Sequence, residues 1–212
     1  MCMYYALLAK KEALESIMAA KALAYQPAQV ITASQRASII LNTNQKELVP
    51  ARFGFPAQWK DDRGYERFLF NSRAETIAQK PAFRNLVKEC RCLIPATSFY
   101  EWQETESGKQ PFVFEYTKGL FAFAGIWNKF TNSKHESDIG FSIITTTPNK
   151  EVAQVHDRMP VILDPTQKSE WLERGSMEIL KPLADGMLER KQVDRAIFRK
   201  GVKSPGKQET LA

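Results

Sequence analysis

The chain has 212 residues, 43% of them hydrophobic and 25% charged, with a formal net charge of +6. That length fits one domain with a sizeable core, and the composition is that of an ordinary soluble globular protein. No apolar run approaches the roughly 18–20 residues of a membrane span, and the start lacks the basic-then-apolar pattern of a secretory signal. The mildly basic balance permits an anionic partner such as nucleic acid without requiring one. Three cysteines are an odd count, and Cys90 and Cys92 are too close along a strand to bridge. Reduced thiols in a cytoplasmic compartment follow. With no C-x-x-C pair and only two histidines, neither a metal nor another cofactor is expected.

The first predicted element is an amphipathic helix over Lys11 to Ala24, with Leu14, Ile17, Met18 and Ala22 on one face. Short apolar or alternating runs follow, among them "VITA", "ASIIL", "LVPARFGF", "RFLFN" and "CLIP". Further along come "SFYEW", "PFVFEY", "FAFAGIW", "GFSIITTT" and "MPVIL". They are rich in β-branched and aromatic residues and punctuated by Asn, Gly, Pro and Ser, the signature of strands. Helical inserts are predicted at Glu75–Val87, Asn149–Val155 and Pro165–Arg174. Hairpin loops are predicted at "ETESGKQ" (104–110) and "TNSKHESD" (131–138). The chain reads as one α+β domain. Its core is a curved, barrel-like, mainly antiparallel sheet with peripheral helices. A loose or surface-docked tail is expected from about residue 199.

Four short stretches carry reactive residues. "MC" opens the chain, so removal of Met1 would give Cys2 a free α-amine beside its thiol. The plain alternative is a buried cysteine at the start of a strand, which position alone favours. "NSRAET" offers Asn71 and Arg73, which equally suit a turn and a surface charge. "SFYEW" places Glu101 inside an aromatic strand, on the face opposite Tyr100 and Trp102. There it either meets solvent or sits in a pocket that raises its pKa. "HDRMP" offers His156 and Arg158. Both arginines carry a planar fork suited to phosphate. His135 lies in a polar loop and is assigned no role.

Taken in order, "MC", "NSRAET", "CLIPATSFYEW", "AGIW" and "HDRMP" resemble the SOS-response-associated peptidase (SRAP) family. The usual family forms are "MCGR", "NARAET", "CLVPADGFYEW", "AGLW" and "HDRMP". The likeness covers most of residues 1–163, and "RFGF" with "PAQWKDD" is similar to a further family segment. It implies an α+β domain around a barrel-like sheet. It also implies a DNA-repair activity on abasic sites in single-stranded DNA, with a covalent cross-link through the N-terminal cysteine. Residue by residue, the nucleophile falls on Cys2, and the accompanying catalytic residues on Asn71, Glu101 and His156. The phosphate-binding arginines fall on Arg73 and Arg158. Trp59 would stack on a base, although core packing is the more usual fate of a tryptophan.

The implied chemistry explains the position of Cys2. The ring-opened abasic sugar is an aldehyde; an amine condenses with it, and a thiol on the adjacent carbon closes a thiazolidine. An α-amine with an unperturbed pKa of about 7.7–8.0 is substantially neutral near pH 7, unlike a lysine. Ring closure gains from intramolecular proximity. By the same resemblance His156 would shuttle a proton in sugar opening, Glu101 would manage protons through the imine, and Asn71 would orient the N-terminus. The partner is then single-stranded DNA with abasic sites, met by a cytoplasmic, nucleoid-associated monomer that does not engage membranes.

Two departures stand out. The family's Gly-Arg after the cysteine is Met3-Tyr4 here, and its "N-x-A-P-T" segment is "ITASQR" (31–36), without the proline. Two other functions compete. One is an N-terminal-nucleophile peptidase or amidohydrolase, including autoproteolytic removal of Met1; lyase-like turnover belongs instead with the abasic-site reading. The other is a non-covalent nucleic-acid-binding module with a structural Cys2.

Overall fold

The computed structural model describes residues 2–60 and 62–199. The expected tail beyond 199 lies outside the described residues. In chain order the first elements are β1 (Tyr4–Leu7), helix α1 (Lys11–Met18), β2 (Ala28–Thr32), β3 (Arg36–Leu41) and β4 (Asn44–Phe53). Then come β5 (Phe55–Lys60), β6 (Glu66–Leu69), β7 (Asn71–Arg73), α2 (Leu86–Glu89), β8 (Arg91–Ala96) and β9 (Ser98–Thr105). The long strands β10 (Gly108–Tyr116), β11 (Phe121–Thr131) and β12 (Ser137–Thr146) follow. The chain closes with α3 (Lys150–Ala153), β13 (Met159–Pro160), β14 (Ile162–Leu163), α4 (Lys168–Leu172) and β15 (Leu188–Gln192).

Five strands form a closed ring in the order β12-β4-β3-β8-β11 and back to β12. An odd ring cannot alternate direction all the way round, so one seam must be parallel. That seam is β4 against β12, with Gly140 opposite Arg52 and Phe141 opposite Phe53. The other four pairings are antiparallel. A second sheet, β15-β10-β9-β1-β2, packs against this barrel. Tyr5 of β1 joins the two layers, its ring 5.9 Å from Phe53 and 5.6 Å from Phe123 on barrel strands. Phe53 and Phe141 stack at 5.0 Å across the parallel seam. The curved, mainly antiparallel, barrel-like core expected from the strand-rich sequence is therefore present, with short helices at its edge.

The helices are shorter than periodicity suggested. Helix α1 ends at Met18, not Ala24, because Ala19 takes a left-handed conformation (φ 48°). The next residues are recruited to the barrel: Lys21 N–H donates to Lys46 O, and Leu48 N–H donates to Lys21 O. Strand pairing thus overrides the amphipathic pattern. Leu14 and Met18 are buried as expected, while Ile17 is exposed. The predicted helix over Glu75–Val87 is a series of turns, with an α-helix only at Leu86–Glu89. Pro81 lacks an N–H and disfavours helical geometry at Lys80. The inserts near 149–155 and 165–174 appear as α3 and, after a 3-10 turn at Pro165–Gln167, α4. Both predicted loops are hairpin turns, the first so tight that β9 and β10 pair out to Thr105 and Gly108. Among the described residues, no helix is long and apolar enough to cross a membrane.

Candidate active site

Two pairings and one turn bring the site together. Strand β1 lies antiparallel to β9, with Tyr4 opposite Tyr100 and Tyr5 opposite Phe99, which sets the start of the chain beside Glu101. Asn71 is not in a turn, while Arg73 is exposed, as a surface charge would be. They form the short strand β7, parallel to the end of β12, with Asn71 opposite Ile143 and Arg73 opposite Thr145. On the other side of that same end, β13 pairs with Thr145 and Thr146. Just before β13, helix α3 is capped by Asn149, which accepts from Val152 N–H at 3.1 Å. It ends as His156 N–H donates to Val152 O at 2.9 Å. That turn presents His156.

Cys2, Asn71, Glu101 and His156, far apart in sequence, meet here. Cys2 is fully buried (0% exposed), and its thiol lies 3.9 Å from Tyr4 O. Burial, and then the neighbouring Glu101 carboxylate, push that thiol well above its ordinary pKa. Asn71 Nδ2 donates to Cys2 O at 3.1 Å and lies 3.5 Å from Met3 Sδ. Its Oδ1 is buried with no hydrogen-bond partner among the described residues. Such an acceptor is costly unless something later donates to it.

Glu101 is 2% exposed. It shares a strand face with Phe99, which is fully buried, and that decides between pocket and solvent. Desolvation pushes its carboxyl up to about 7, and the Asp157 carboxylate adds to the rise. His156 Nε2 lies 3.9 Å from Glu101 Oε2. At the other end of the ring, Nδ1 accepts from Arg158 N–H at 3.0 Å and lies 3.0 Å from Asp157 Oδ1. Burial lowers the His156 pKa, with Asp157 opposing. One nitrogen lone pair cannot serve both neighbours: the neutral ring accepts from Arg158, and its proton then sits on Nε2, facing Glu101. A second proton on Nδ1 would break the Arg158 contact and pair with Asp157.

The remaining candidates fall in different settings. Arg73 is exposed beside the site. Arg158 is largely covered; its two terminal nitrogens bind the Glu75 carboxylate at 2.8 Å each, and Nη2 also donates to Thr145 O. Glu75 is held below its usual pKa chiefly by that bond. Trp59 lies on the separate β5–β6 hairpin and is 49% exposed, so it does not pack in the core. Sequence reasoning missed Asp157 and Glu75 as partners of His156 and Arg158, although both lie inside the quoted motifs. It also missed Arg195 and Phe198, which border the site from a 3-10 turn at Arg195–Phe198 and carry no recognisable spacing.

The comparisons agree with this architecture. A computed structural superposition on a crystal structure from Bacteroides thetaiotaomicron (structural genomics target BtR8) gives a TM-score of 0.79. It covers 92% of this chain and 93% of that one, at 22% identity, and shows the shared fold. The chain is 40% identical over 151 residues to the abasic site processing protein YoaM of Bacillus subtilis, covering 70% of this chain and 66% of that protein. It is 39% identical over 153 residues to the abasic site processing protein YobE of the same organism, covering 70% and 69%. The matched region thus spans about two thirds of those relatives. The family model for the SOS response associated peptidase (SRAP) matches residues 1–200, and the chain belongs to that family.

Proposed function

We propose that the protein captures abasic sites in single-stranded DNA as a covalent thiazolidine adduct on Cys2, after Met1 is removed. The observation that carries this reading is the convergence on Cys2: Asn71 holds its carbonyl, and the buried Glu101 neighbours both Cys2 and His156. The relatives named above as abasic site processing proteins support the substrate class.

The neutral His156 gives its Nε2 proton to the sugar ring oxygen as the C1–O bond to that oxygen breaks, and the C1 hydroxyl proton passes through the Glu101 carboxylate back to Nε2, leaving the aldehyde. The α-amine of Cys2 adds to that carbon, and Glu101, with a pKa of about 7, gives the proton with which the carbinolamine hydroxyl leaves as water. The Cys2 thiol then adds to the imine carbon, its proton passing to nitrogen. One C–N and one C–S bond form and one water is released. A thiol held protonated by burial suits the last step, because it is delivered intramolecularly and needs no free thiolate. Arg73 contacts a flanking phosphate, while Arg158, already joined to Glu75, braces the turn that carries His156 and offers its outer edge to DNA. Trp59 stacks on a base further along the strand, a role that its exposure on the hairpin supports. Removal of Met1 can use the same residues. The Cys2 thiol attacks the Met1 carbonyl with Glu101 as base, giving a thioester and a free Cys2 amine, and water then releases methionine.

Intact-mass spectrometry of protein incubated with single-stranded DNA bearing one abasic site tests this. The expected product is a one-to-one adduct on protein lacking Met1. It weighs the sum of the two less one water, and it survives denaturant without reductant. It is absent with undamaged DNA and with Cys2→Ala. Correctly processed protein that binds abasic DNA but forms no such adduct overturns the reading.

A further inference from the structure

A cavity of about 680 Å³ opens beside the proposed reaction centre, with Glu101 and His156 in its lining. Three aromatic rings from distant parts of the chain also line it: Tyr4 from β1, Trp102 from β9 and Phe198 from the C-terminal 3-10 turn. Their centroids are 4.5 Å (Tyr4–Trp102), 4.8 Å (Trp102–Phe198) and 5.3 Å (Tyr4–Phe198) apart. None of the three is fully buried. The lining carries three carboxyl groups, Glu101, Glu104 and Asp157, against two cations, Lys109 and Arg195, and Lys109 lies 3.0 Å from Glu104. Such a lining does not select a phosphate. It suits a flat, neutral group with polar edges, and Tyr4 stands where the resemblance leads one to expect an arginine.

We propose that this cavity is a nucleobase subsite, which takes the base of one nucleotide adjacent to the abasic sugar against the Tyr4–Trp102–Phe198 rings. The inference rests on the abasic-site reading above and adds a requirement to it: the sugar must lack a base while its neighbour on one side must have one. Stacking against aromatic side chains needs no particular sequence, because every base has a π face. Arg195, an exposed residue of the lining, then meets the polar edge of the base or the adjoining backbone.

The test is single-turnover cross-linking with three oligonucleotides. In one, both neighbours of the abasic site carry bases. In the others, the 5′ or the 3′ neighbour is a tetrahydrofuran residue, which has neither base nor aldehyde. Loss of the base on one side should raise the half-saturating DNA concentration roughly 5- to 150-fold, the range of a single base–aromatic stack. Loss on the other side should change it little. Phe198→Ala, checked for an unchanged melting profile, should weaken the intact oligonucleotide and lose most of the sensitivity to that base. Equal half-saturation for all three oligonucleotides overturns the subsite while leaving the covalent reading intact, as does a folded Phe198→Ala variant with full sensitivity. Should no adduct form with any of them, the covalent reading fails. Fluorescence anisotropy of the same oligonucleotides then decides the subsite by the same criterion.

Discussion

Glu101 is the residue on which chemistry and stability pull in opposite directions. Its folded-state pKa of about 7 lies above the ordinary 4.5, so the folded protein holds that proton more tightly than the unfolded chain does. The associated stability is fully present below about pH 4.5 and is lost as pH rises through 7. At 1.36 kcal/mol per pKa unit the loss is about 3 kcal/mol. Glu101→Gln removes this dependence, so urea melts should show the variant more stable than the natural protein at pH 8 and similar to it at pH 4.5. Cross-linking should move the other way, slowed about 10²- to 10⁴-fold, and the fall in rate above pH 7 should flatten. The arginines separate in a related manner. Arg73→Ala should weaken non-covalent binding of single-stranded DNA and reduce the salt slope by about 0.7, with no change in melting. Arg158→Ala should lower both binding and melting temperature, since it removes the partner of the Glu75 carboxylate and leaves Ala74 N–H as the remaining donor to the Thr145 carbonyl. Alternation along "SFYEW" put Glu101 and Phe99 on one face, but only the packing of two sheets determines that this face is interior. Trp59 shows the converse: core packing is the usual fate of a tryptophan, yet it is 49% exposed on a hairpin whose strands, among the described residues, pair only with each other.

Among the elements, most strand runs were legible, whereas the helices were legible in place but not in length. Strand runs are written in β-branched and aromatic residues whose preference agrees with their surroundings. Helix α1 loses its last turns because Lys21 serves the barrel, a long-range demand that no local period contains. The short helices α2 and α4 are held by a single buried cation. Arg91, at the start of β8, donates to Val87 O and Trp171 O and to Leu172 O at 2.8–3.3 Å, with further contacts to Lys88 O and Glu173 O. Only a guanidinium offers a fork wide enough to collect carbonyls from two helix ends. Arg91→Lys should therefore cost about 2–4 kcal/mol in urea titrations, while the cross-linking rate of the folded fraction stays unchanged. Nothing in "CRCLIP" signalled that role, because burial of an arginine depends on carbonyls contributed by segments some 80 residues away.

At the level of the whole molecule, closure depends on the parallel β4–β12 seam. A methyl group at Gly140 would come within 2.6 Å of Gly54 O and 2.8 Å of Phe55 Cβ. Gly140→Ala should destabilise the fold by about 1–3 kcal/mol, with the loss showing mainly as faster unfolding if the seam closes late. Because that seam joins strands far apart in sequence, refolding should take milliseconds to seconds in stopped-flow fluorescence. Strand β1 has a neighbour on each side, β9 and β2, and its Tyr5 is wedged between the two layers. A polymerase or helicase pulling on DNA fastened to Cys2 would load a doubly paired interior strand, and the tether would yield only by dragging that strand out of the sheet. The cross-link would then be as hard to extract as the protein is to unfold, and dismantling it would call for a machine that unravels polypeptide.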